Sequence, residues 1–449
     1  MEYFKINGGK KLFGEISVHG AKNSALPILA STLLIKGESV IHNCPDLSDV
    51  KVTLDILASI GCKVNKENDT VIIDATNVTG SEISENTMRT MRSSIIFLSA
   101  LLSRQKCASI YYPGGCEIGT RPIDLHLKAL NDLGANVSVN GSSISACADF
   151  IIGTKIILPF PSVGATENII ASAISKGKTV IVNPAREPEI SDLADFLNHC
   201  GAKIYGAGES TIVIDGVSKL HPCEHTIIPD RILASTYMSL GAVCSDELTV
   251  KNIRQSHLSP IFPVFTEMGC KLYLSDNSLT LAAPKRLKRV RSIKTMPYPG
   301  FPTDSQSPIA VALALAKGTS ILQETIFENR FRYVSELNRF GTDIEIKDNI
   351  AVINGVDKLH PANVHATDLR GGAALVVAAL CADGESNIYC IEHIDRGYEN
   401  LEKALSSIGA NIKRSKNEGT TEKETGETKS IQKKQTEFYN RQRIFRPWY

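Results

Sequence analysis

The chain has 449 residues, which is too long for one hydrophobic core and suits two or three domains. Its formal net charge is +1, so no overall field attracts it to nucleic acid or to an anionic membrane. Hydrophobic residues make up 43% and aromatic residues 6%, which predicts aliphatic cores of the kind found in α/β proteins.

The N-terminal residues contain no apolar stretch of the signal-peptide type, and the apolar run from Ala25 to Ile35 is too short to span a bilayer. The 11 cysteines are an odd number without a C-x-x-C pair, which argues against a disulfide framework and against a zinc site. These features predict a protein of the reducing cytoplasm that does not span a membrane.

A phrase of the form apolar-x-x-x-Gly-small/polar-x-apolar occurs six times along the chain. Its glycines are 67 to 73 residues apart, and they are Gly61, Gly134, Gly201, Gly269, Gly341 and Gly409. Such regular spacing indicates a sixfold internal repeat. Because glycine tolerates the left-handed conformation that ends many helices, each phrase predicts a helix, a glycine cap and a strand. A second strand usually follows, as at residues 70–74, and completes a hairpin.

A helix rich in small residues opens each unit and leads into another strand. The six predicted helices span residues 24–35, 93–103, 169–176, 232–243, 307–317 and 372–382. Each unit is therefore βαβαββ, and six units predict two similar domains that face a cleft, with the alanine-rich helices packed inside. A solenoid is the alternative, but its repeats are usually only about 20–50 residues long.

The chain becomes charged and almost free of apolar residues from about residue 413, so this part cannot bury a core. The composition predicts a disordered tail. Residues 441–449 combine basic and aromatic side chains that could touch a partner or a membrane surface, but a solvated tail is the simpler interpretation.

Polar or charged residues stand just before all six small-residue helices. Some fit helix N-caps, namely Ser162, Thr303, Asp304 and Asp368. Lys22, Arg92 and Arg370 do not, because a cation at a helix N-terminus opposes the helix dipole and calls for a compensating anion. Helix N-termini also offer N–H groups to phosphate or carboxylate. If the six helix ends converge on the cleft, they form an anion site.

Several strand-to-helix connections are rich in Arg and acidic residues, and one of them carries a cysteine. It reads Pro113-Gly-Gly-Cys116-Glu-Ile-Gly-Thr-Arg121-Pro-Ile-Asp124. Two glycines before Cys116 and charged residues after it predict an accessible thiol that nearby cations can activate. Cys116 could act as a nucleophile or as a general acid. No Cys/His/Asp pattern of protease type and no ATP or nicotinamide phosphate loop accompanies it, which disfavours those chemistries.

A set of phrases between residues 1 and 412 carries a family resemblance. They are the cysteine loop, Gly20-Ala-Lys22-Asn23, Met91-Arg92-Ser, Ser162-Val163-Gly164-Ala-Thr, Ala185-Arg-Glu-Pro-Glu189, Phe301-Pro-Thr-Asp304, Phe327-Glu-Asn-Arg330-Phe, Ala366-Thr-Asp368-Leu-Arg370 and His393-Ile-Asp-Arg396-Gly-Tyr-Glu. The chain resembles the UDP-N-acetylglucosamine 1-carboxyvinyltransferases, members of the enolpyruvyl transferase family, and the cysteine loop is the most specific match.

This resemblance implies a fold of two inside-out α/β barrels, each of three βαβαββ units, which agrees with the repeats. It implies one domain at residues 22–229 and a second at residues 1–21 with 230–414, which leaves 415–449 as the disordered charged tail.

The resemblance also implies a transferase reaction. The 3′-hydroxyl of UDP-N-acetylglucosamine attacks phosphoenolpyruvate, the methylene carbon is protonated, and phosphate leaves. In bacteria this is the first committed step of peptidoglycan synthesis, on which cell-wall growth, cell shape and division depend. No cofactor and no metal are implied, the oligomeric state is left open, and the epoxide antibiotic fosfomycin is expected to alkylate Cys116.

By the same resemblance, Cys116 protonates the methylene carbon, Asp304 is the base near the hydroxyl, and Asp368 assists proton movement beside Lys22. Lys22, Arg121 and Arg396 supply charge for the phosphate, and the forked guanidinium groups of Arg330 and Arg370 suit the carboxylate. The other implied nucleotide-sugar contacts are Asn23, Arg92, Arg121, Pro122, Ile123, Asp124, Leu125, Ser162, Val163, Gly164, Asp304 and Ile326, of which 121–125 and 162–164 match the uracil site.

Two features depart from the family pattern: Phe160 stands where some members carry a lysine, and the tail is longer than usual. Two other functions remain open. One is the sister 3-phosphoshikimate 1-carboxyvinyltransferase, which shares the fold and phosphoenolpyruvate but not the cysteine loop. The other is a catalytically silent paralogue that binds a nucleotide sugar and regulates.

Overall fold

The computed structural model describes residues 1–112, 123–175 and 177–416, and of Thr90, Arg92 and Ser93 it describes the backbone alone. Within these residues, 23 strands alternate with 14 α-helices and five short 3-10 helices.

The strands are β1 Glu2–Asn7, β2 Leu12–Ser17, β3 Glu38–His42, β4 Lys63–Glu67, β5 Thr70–Asp74, β6 Cys107–Tyr111, β7 Asn136–Asn140, β8 Ser143–Cys147, β9 Lys155–Ile157, β10 Lys178–Val182, β11 Lys203–Tyr205, β12 Thr211–Asp215, β13 Glu224–Thr226, β14 Ser245–Lys251, β15 Lys271–Ser275, β16 Ser278–Ala282, β17 Ser292–Lys294, β18 Thr319–Gln323, β19 Asp343–Lys347, β20 Ile350–Asn354, β21 Asn363–His365, β22 Glu385–Tyr389 and β23 Ile412–Lys416.

The α-helices are α1 Lys22–Ser31, α2 Ser48–Ser59, α3 Glu85–Thr90, α4 Ile96–Gln105, α5 Asp124–Asp132, α6 Val163–Ala173, α7 Pro188–His199, α8 Arg231–Cys244, α9 Gln255–Leu258, α10 Phe262–Glu267, α11 Gln306–Ala314, α12 Val334–Asn338, α13 Leu369–Cys381 and α14 Leu401–Ser406.

The strands of the described residues form six small sheets. Their strand orders are β13-β3-β5-β4, β6-β8-β7, β11-β12-β10-β9, β15-β16-β14-β2, β17-β18-β20-β19 and β21-β22-β1-β23. In a typical sheet the predicted hairpin, such as β4–β5, pairs with the preceding strand β3, and a short parallel strand, β13, completes the edge. The N-terminal strands β1 and β2 join sheets made from the C-terminal part of the chain.

Buried apolar side chains form two clusters. The first core comprises residues from Ala21 to Ile228, and the second core comprises residues from Phe4 to Val18 together with Leu233 to Ile412. Three helices pack together inside each core: α1, α4 and α6 in the first, and α8, α11 and α13 in the second. Helices thus lie inside and sheets outside, which confirms the predicted class of two inside-out α/β barrels.

Small residues allow the central helices to pack closely. Helix α13 is buried all around except near its ends, so its sequence contains Ala, Val and Leu without a polar face. A Cβ atom on Gly372 would lie 2.7 Å from the Ile394 side chain, so only glycine fits there without a shift of its neighbour. The alanine-rich composition of these helices therefore reflects burial on every side.

The six repeated glycines have the predicted left-handed conformation. Their φ angles lie between 86° and 104°, and the residues are Gly61, Gly134, Gly201, Gly269, Gly341 and Gly409. An L-residue with a side chain would pay about 1–2 kcal/mol for this conformation, which explains why glycine recurs at the end of each helix.

Cys107 and Cys147 form a disulfide bond between β6 and β8, where they face each other in register. The number and spacing of the cysteines argued against a disulfide framework, and this bond between neighbouring strands was not predicted. The two cysteines are 40 residues apart, and no spacing rule predicts such a pair. Several other cysteines are buried thiols, among them Cys44, Cys200 and Cys270, and burial raises the pKa of Cys62 to about 11.

The last described strand, β23, pairs with β1 up to Lys416. Regular pairing therefore includes residues 415 and 416, the first two of the predicted tail, and residues 417–449 lie outside the described part of the chain. None of the helices within the described residues is long and apolar enough to cross a membrane.

Candidate functional site

Two of the predicted N-caps hold helix ends, at the starts of α6 and α13. The Ser162 hydroxyl accepts the Ala165 N–H at 3.3 Å, and the Asp368 carboxylate accepts two N–H groups at the start of α13 at 3.0 Å. Thr303 and Asp304 were wrongly predicted as caps. They lie in a 3-10 helix before α11, and their side chains bind other side chains instead.

The Asp304 carboxylate lies between two buried arginines. Arg330 donates from Nη2 to Asp304 Oδ1 at 2.8 Å, and Arg370 Nη2 lies 3.7 Å from Oδ2. Burial would lower the pKa of Arg330, but Asp304 and Asp368 raise it above the usual value. Both guanidinium groups are therefore cationic, although their side chains are only 3% exposed.

These two arginines keep several N–H donors unpaired. Nε of Arg330 and both Nε and Nη1 of Arg370 are buried without a hydrogen-bond acceptor among the residues described. An unsatisfied buried donor costs about 1–3 kcal/mol, and more when it is charged, so the arrangement suits an anion with several oxygen acceptors. A ligand carboxylate meets this requirement because it accepts paired bonds from a guanidinium.

A second cluster joins the two cores through Asp49. The Lys22 ammonium lies 2.7 Å from Asp49 Oδ2, and Arg396, from the second core, donates to Asp49 from Nε at 3.0 Å and from Nη2 at 3.3 Å. Burial lowers the pKa of Lys22, and Asp49 opposes that shift. Burial would raise the pKa of Asp49, but Lys22 and Arg396 bring it below its usual value.

The two clusters are adjacent. The backbone N–H of Lys22 donates to Asp230 Oδ2 at 3.3 Å, and Asp230 Oδ1 caps helix α8. Arg370 lies over the ring of Tyr398 at 5.4 Å, two residues after Arg396, and its charge contributes to the lowered pKa of Lys22. The junction therefore gathers four of the predicted cations, Lys22, Arg330, Arg370 and Arg396.

Glu324 brings Ile326 next to Asp304. Its carboxylate is 2% exposed and accepts bonds from Thr303 Oγ1 at 2.8 Å and from the Ile326 N–H at 2.7 Å. Further donors come from Thr295, Gln306 and Phe327. One buried carboxylate thus fixes two loops that carry predicted substrate contacts.

The two segments predicted to hold the uracil are also neighbours. Ile123, Asp124 and Leu125 open α5, and Ser162, Val163 and Gly164 open α6. A Cβ atom on Gly164 would lie 2.8 Å from the His126 ring, so glycine lets the two helix ends approach each other. The Asn168 amide and His126 Nδ1 are 2.7 Å apart and fix this contact.

Some of the predicted site residues do not belong to these clusters. Cys116, Arg121 and Pro122 lie outside the described residues, as does the side chain of Arg92. Asn23 is half-buried on α1, and Phe160 is 42% exposed. Asp368 Oδ1 accepts from the start of α13, and Asp49 provides a carboxylate in contact with Lys22, so the role of Asp368 beside Lys22 stays a prediction.

Sequence reasoning did not single out Asp49, which pairs with two of the predicted cations. It lies in the first turn of α2, where acidic residues are common because they complement the helix dipole. The position alone therefore gives no sign of a special role. Its partner Arg396 is 347 residues away in the chain, so nothing in the local sequence connects the two.

The chain has two cores in which sheets enclose helices, and cations cluster at the junction of the cores. This combination defines a protein of the enolpyruvyl transferase class. The structure is similar to the enolpyruvyl transferase NikO from Streptomyces tendae, with a TM-score of 0.84 and 25% identity over 92% of this chain and 99% of that one. It is also similar in fold to EPSP synthase from Acinetobacter baumannii, with a TM-score of 0.72 and 18% identity over 93% of this chain and 100% of that one.

Residues 6–405 match the family of EPSP synthase (3-phosphoshikimate 1-carboxyvinyltransferase), and the chain belongs to this family. It is 54% identical over 415 residues to UDP-N-acetylglucosamine 1-carboxyvinyltransferase 2 of Caldanaerobacter subterraneus subsp. tengcongensis, which covers 92% of this chain and 100% of that protein. It is 46% identical to UDP-N-acetylglucosamine 1-carboxyvinyltransferase 2 of Clostridium acetobutylicum, and 44% identical to the UDP-N-acetylglucosamine 1-carboxyvinyltransferase of Geobacter metallireducens. Each of these two matches covers 93% of this chain and 100% of the relative.

Proposed function

We propose that the chain transfers the enolpyruvyl group of phosphoenolpyruvate to the 3′-hydroxyl of UDP-N-acetylglucosamine and releases phosphate, the first committed step of peptidoglycan synthesis. The observation that carries this proposal is the junction of the cores, where four cations converge and two buried arginines keep unpaired N–H donors. Phosphoenolpyruvate has two anionic groups, a phosphate and a carboxylate, and the junction offers one cationic cluster for each. The names of the relatives supply the acceptor.

The reaction balances without an electron carrier. The 3′-oxygen forms a bond to C2 of phosphoenolpyruvate while its proton goes to a base, and C3 gains a proton from an acid. The resulting tetrahedral ketal then expels phosphate as C3 loses a proton again, which restores the double bond. Fixed cations lower the barrier because they stabilise charge that moves onto the phosphate and carboxylate oxygens.

The described residues suit these tasks by position and charge. Arg330 and Arg370 bind the carboxylate through their unpaired donors, and Lys22 and Arg396 bind the phosphate together with Arg121. Asp304, held between the two arginines, accepts the hydroxyl proton. A substrate carboxylate that shares both guanidinium groups weakens their hold on Asp304 and leaves it better able to accept that proton. Cys116 supplies the proton to C3.

The two cores support a division into the domains 22–229 and 1–21 with 230–414, with the substrates bound between them. Lys22 and Asp230 lie at the two places where the chain passes from one core to the other, and the backbone N–H of Lys22 donates to the Asp230 carboxylate. Separate production of residues 22–229 tests this division, because a fragment that contains one complete core should unfold in a single cooperative transition.

We also infer a cytoplasmic location. Eight of the ten cysteines in the described residues are reduced thiols, which is typical of a reducing compartment, and the Cys107–Cys147 disulfide is the exception. Fractionation of the producing cells with an activity assay on each fraction tests this location.

A phosphate-release assay tests the proposed function. Wild-type protein with phosphoenolpyruvate should release phosphate with UDP-N-acetylglucosamine and not with shikimate 3-phosphate, whose use would indicate the sister activity. Cys116→Ser should abolish release, whereas Cys62→Ser, a change at a buried thiol, should retain it. Absence of release from the wild type with either acceptor would favour a silent nucleotide-sugar-binding paralogue.

Fosfomycin provides a second test of Cys116. Intact-mass measurement should show one adduct on the wild type and on Cys62→Ser, and none on Cys116→Ser. Cys116→Asp should keep activity and resist the drug, because a carboxylic acid can donate a proton but is not a thiol nucleophile. Adduct formation on Cys116→Ser would assign the reactive thiol to another residue.

A further inference from the structure

Helix α2, which carries Asp49, lacks an N-cap of its own. Leu47 occupies the cap position and its side chain cannot accept a hydrogen bond. The first N–H groups of an α-helix have no acceptor within the helix, so they need one from elsewhere. The acceptors for α2 must come from another part of the protein.

One of them, the acceptor for the Ser48 N–H, comes from the second core, from a turn that we define as residues 395–399. The same turn also binds Asp46, which precedes the cap residue. The Ser48 N–H donates to the main-chain oxygen of Asp395 at 3.2 Å, and the Asp46 N–H donates to Glu399 Oε2 at 3.0 Å. Between these two contacts, Arg396 binds Asp49. The dipole of α2 also favours the Glu399 carboxylate near the start of the helix.

The 395–399 turn is itself held on its own side by Arg414. The Arg414 guanidinium donates to both oxygens of Asp395, at 2.9 and 2.7 Å, and lies over the ring of Phe4 at 5.0 Å. Glu2 and Glu402 bind the same guanidinium. The turn is therefore anchored at Asp395 to the second core and at Glu399 to the first.

We propose that Glu399 is a positioning residue that fixes Arg396 for the phosphate of phosphoenolpyruvate, a role that rests on the proposed function. Arg396 is 32% exposed and has a long, flexible side chain, so its place depends on the backbone that carries it. With Asp395 tied to Ser48 and Glu399 tied to Asp46, that backbone stands at a fixed distance from Asp49. Without the Glu399 contact, the far end of the turn loses its bond to the first core.

Two variants and a matched control test this role. Glu399→Ala removes the acceptor, Glu399→Gln keeps an oxygen that can accept the Asp46 N–H, and Glu392→Gln changes an exposed carboxylate nearby in the chain. Glu399→Ala should raise the KM for phosphoenolpyruvate about tenfold, the factor that corresponds to about 1.4 kcal/mol, and change the KM for UDP-N-acetylglucosamine less than about twofold. Glu399→Gln should recover most of the loss, and the control should match the wild type.

Hydrogen exchange provides a readout that needs no substrate. The amides of Asp46 and Ser48 should exchange about tenfold faster in Glu399→Ala than in the wild type, with peptides from α8 and α13 unchanged. Equal exchange in the two proteins, or a parallel rise of both KM values in Glu399→Ala and Glu399→Gln, would overturn the role of Glu399. A wild type that releases no phosphate would overturn the proposed function instead, and the exchange rates would still decide whether Glu399 holds α2.

Discussion

The Lys22 ammonium and the Asp49 carboxylate form a buried ion pair at the junction of the two cores, with 2.7 Å between Nζ and Oδ2. Arg396 shares the same carboxylate from the opposite core. Asp49 therefore neutralises part of the charge of two cations assigned to the substrate phosphate, and it holds both of them in place before any substrate arrives.

Asp49→Asn should shift the pH dependence of activity. Burial already lowers the pKa of Lys22, and Asp49 is the main group that opposes the shift, so the variant should lower this pKa further. Lys22 then loses its proton at lower pH, and the basic limb of the kcat/KM profile should move toward lower pH. The free energy of unfolding of the variant should also be about 3 kcal/mol lower than that of the wild type, because the variant leaves buried cations without their partner.

Asp55→Asn is the control for this prediction, since Asp55 lies on the exposed face of the same helix. A pH–rate profile and denaturant unfolding of both variants check the two effects. An unchanged basic limb in Asp49→Asn would show that the protonation of Lys22 does not limit the reaction.

Asp304→Asn should lower kcat about 100-fold or more and change the KM for phosphoenolpyruvate much less. The amide cannot take a proton from the hydroxyl, and general base catalysis contributes roughly 10²–10⁴-fold. Its oxygen can still accept the bond from Arg330, so the arginines should stay in place. Steady-state phosphate release measures both constants, and Asp276→Asn, on an exposed turn, is the control. Near-normal kcat in Asp304→Asn would remove this residue from the role of base.

Arg370→Lys should raise the KM for phosphoenolpyruvate about 10- to 100-fold, the range expected when one or two charge-assisted hydrogen bonds are lost. Lysine keeps the charge but cannot present the two unpaired donors, Nε and Nη1, in the geometry of a guanidinium. Arg291→Lys makes the same change on the surface and should leave the KM unchanged. Equal KM values for the two variants would contradict carboxylate binding by Arg370.

The sequence predicts the repeated framework well and the ion pairs poorly, for a physical reason. A glycine such as Gly61 or Gly409 is required by local backbone conformation, and a buried helix such as α13 is visible in its composition, so both can be recognised within a few residues. Arg330 was identified from its Arg- and acid-rich connection and from the family resemblance. Asp49 could not be identified, because its role depends on Arg396 in the opposite core.

His257 should make stability depend on pH between about 6.5 and 4. Burial, with Arg254 and Arg231 nearby, lowers its pKa to about 4, and its Nδ1 has no acceptor or donor partner among the described residues. The folded protein thus keeps His257 neutral while the unfolded chain takes up a proton below about pH 6.5. This contribution to stability is fully present above pH 6.5 and is lost as the pH falls toward 4.

His257→Gln should remove that dependence. Between pH 7 and 4.5 the wild type should lose roughly 2 kcal/mol more of its free energy of unfolding than the variant, a value reduced for the partial exposure of the ring. Urea unfolding at both pH values measures the difference, and His221→Gln, a change at an exposed histidine, should behave like the wild type. The carboxylates titrate equally in all three proteins, so they do not affect the comparison. If the wild type and His257→Gln lose the same free energy of unfolding, His257 gains its proton in the folded state as readily as in the unfolded chain.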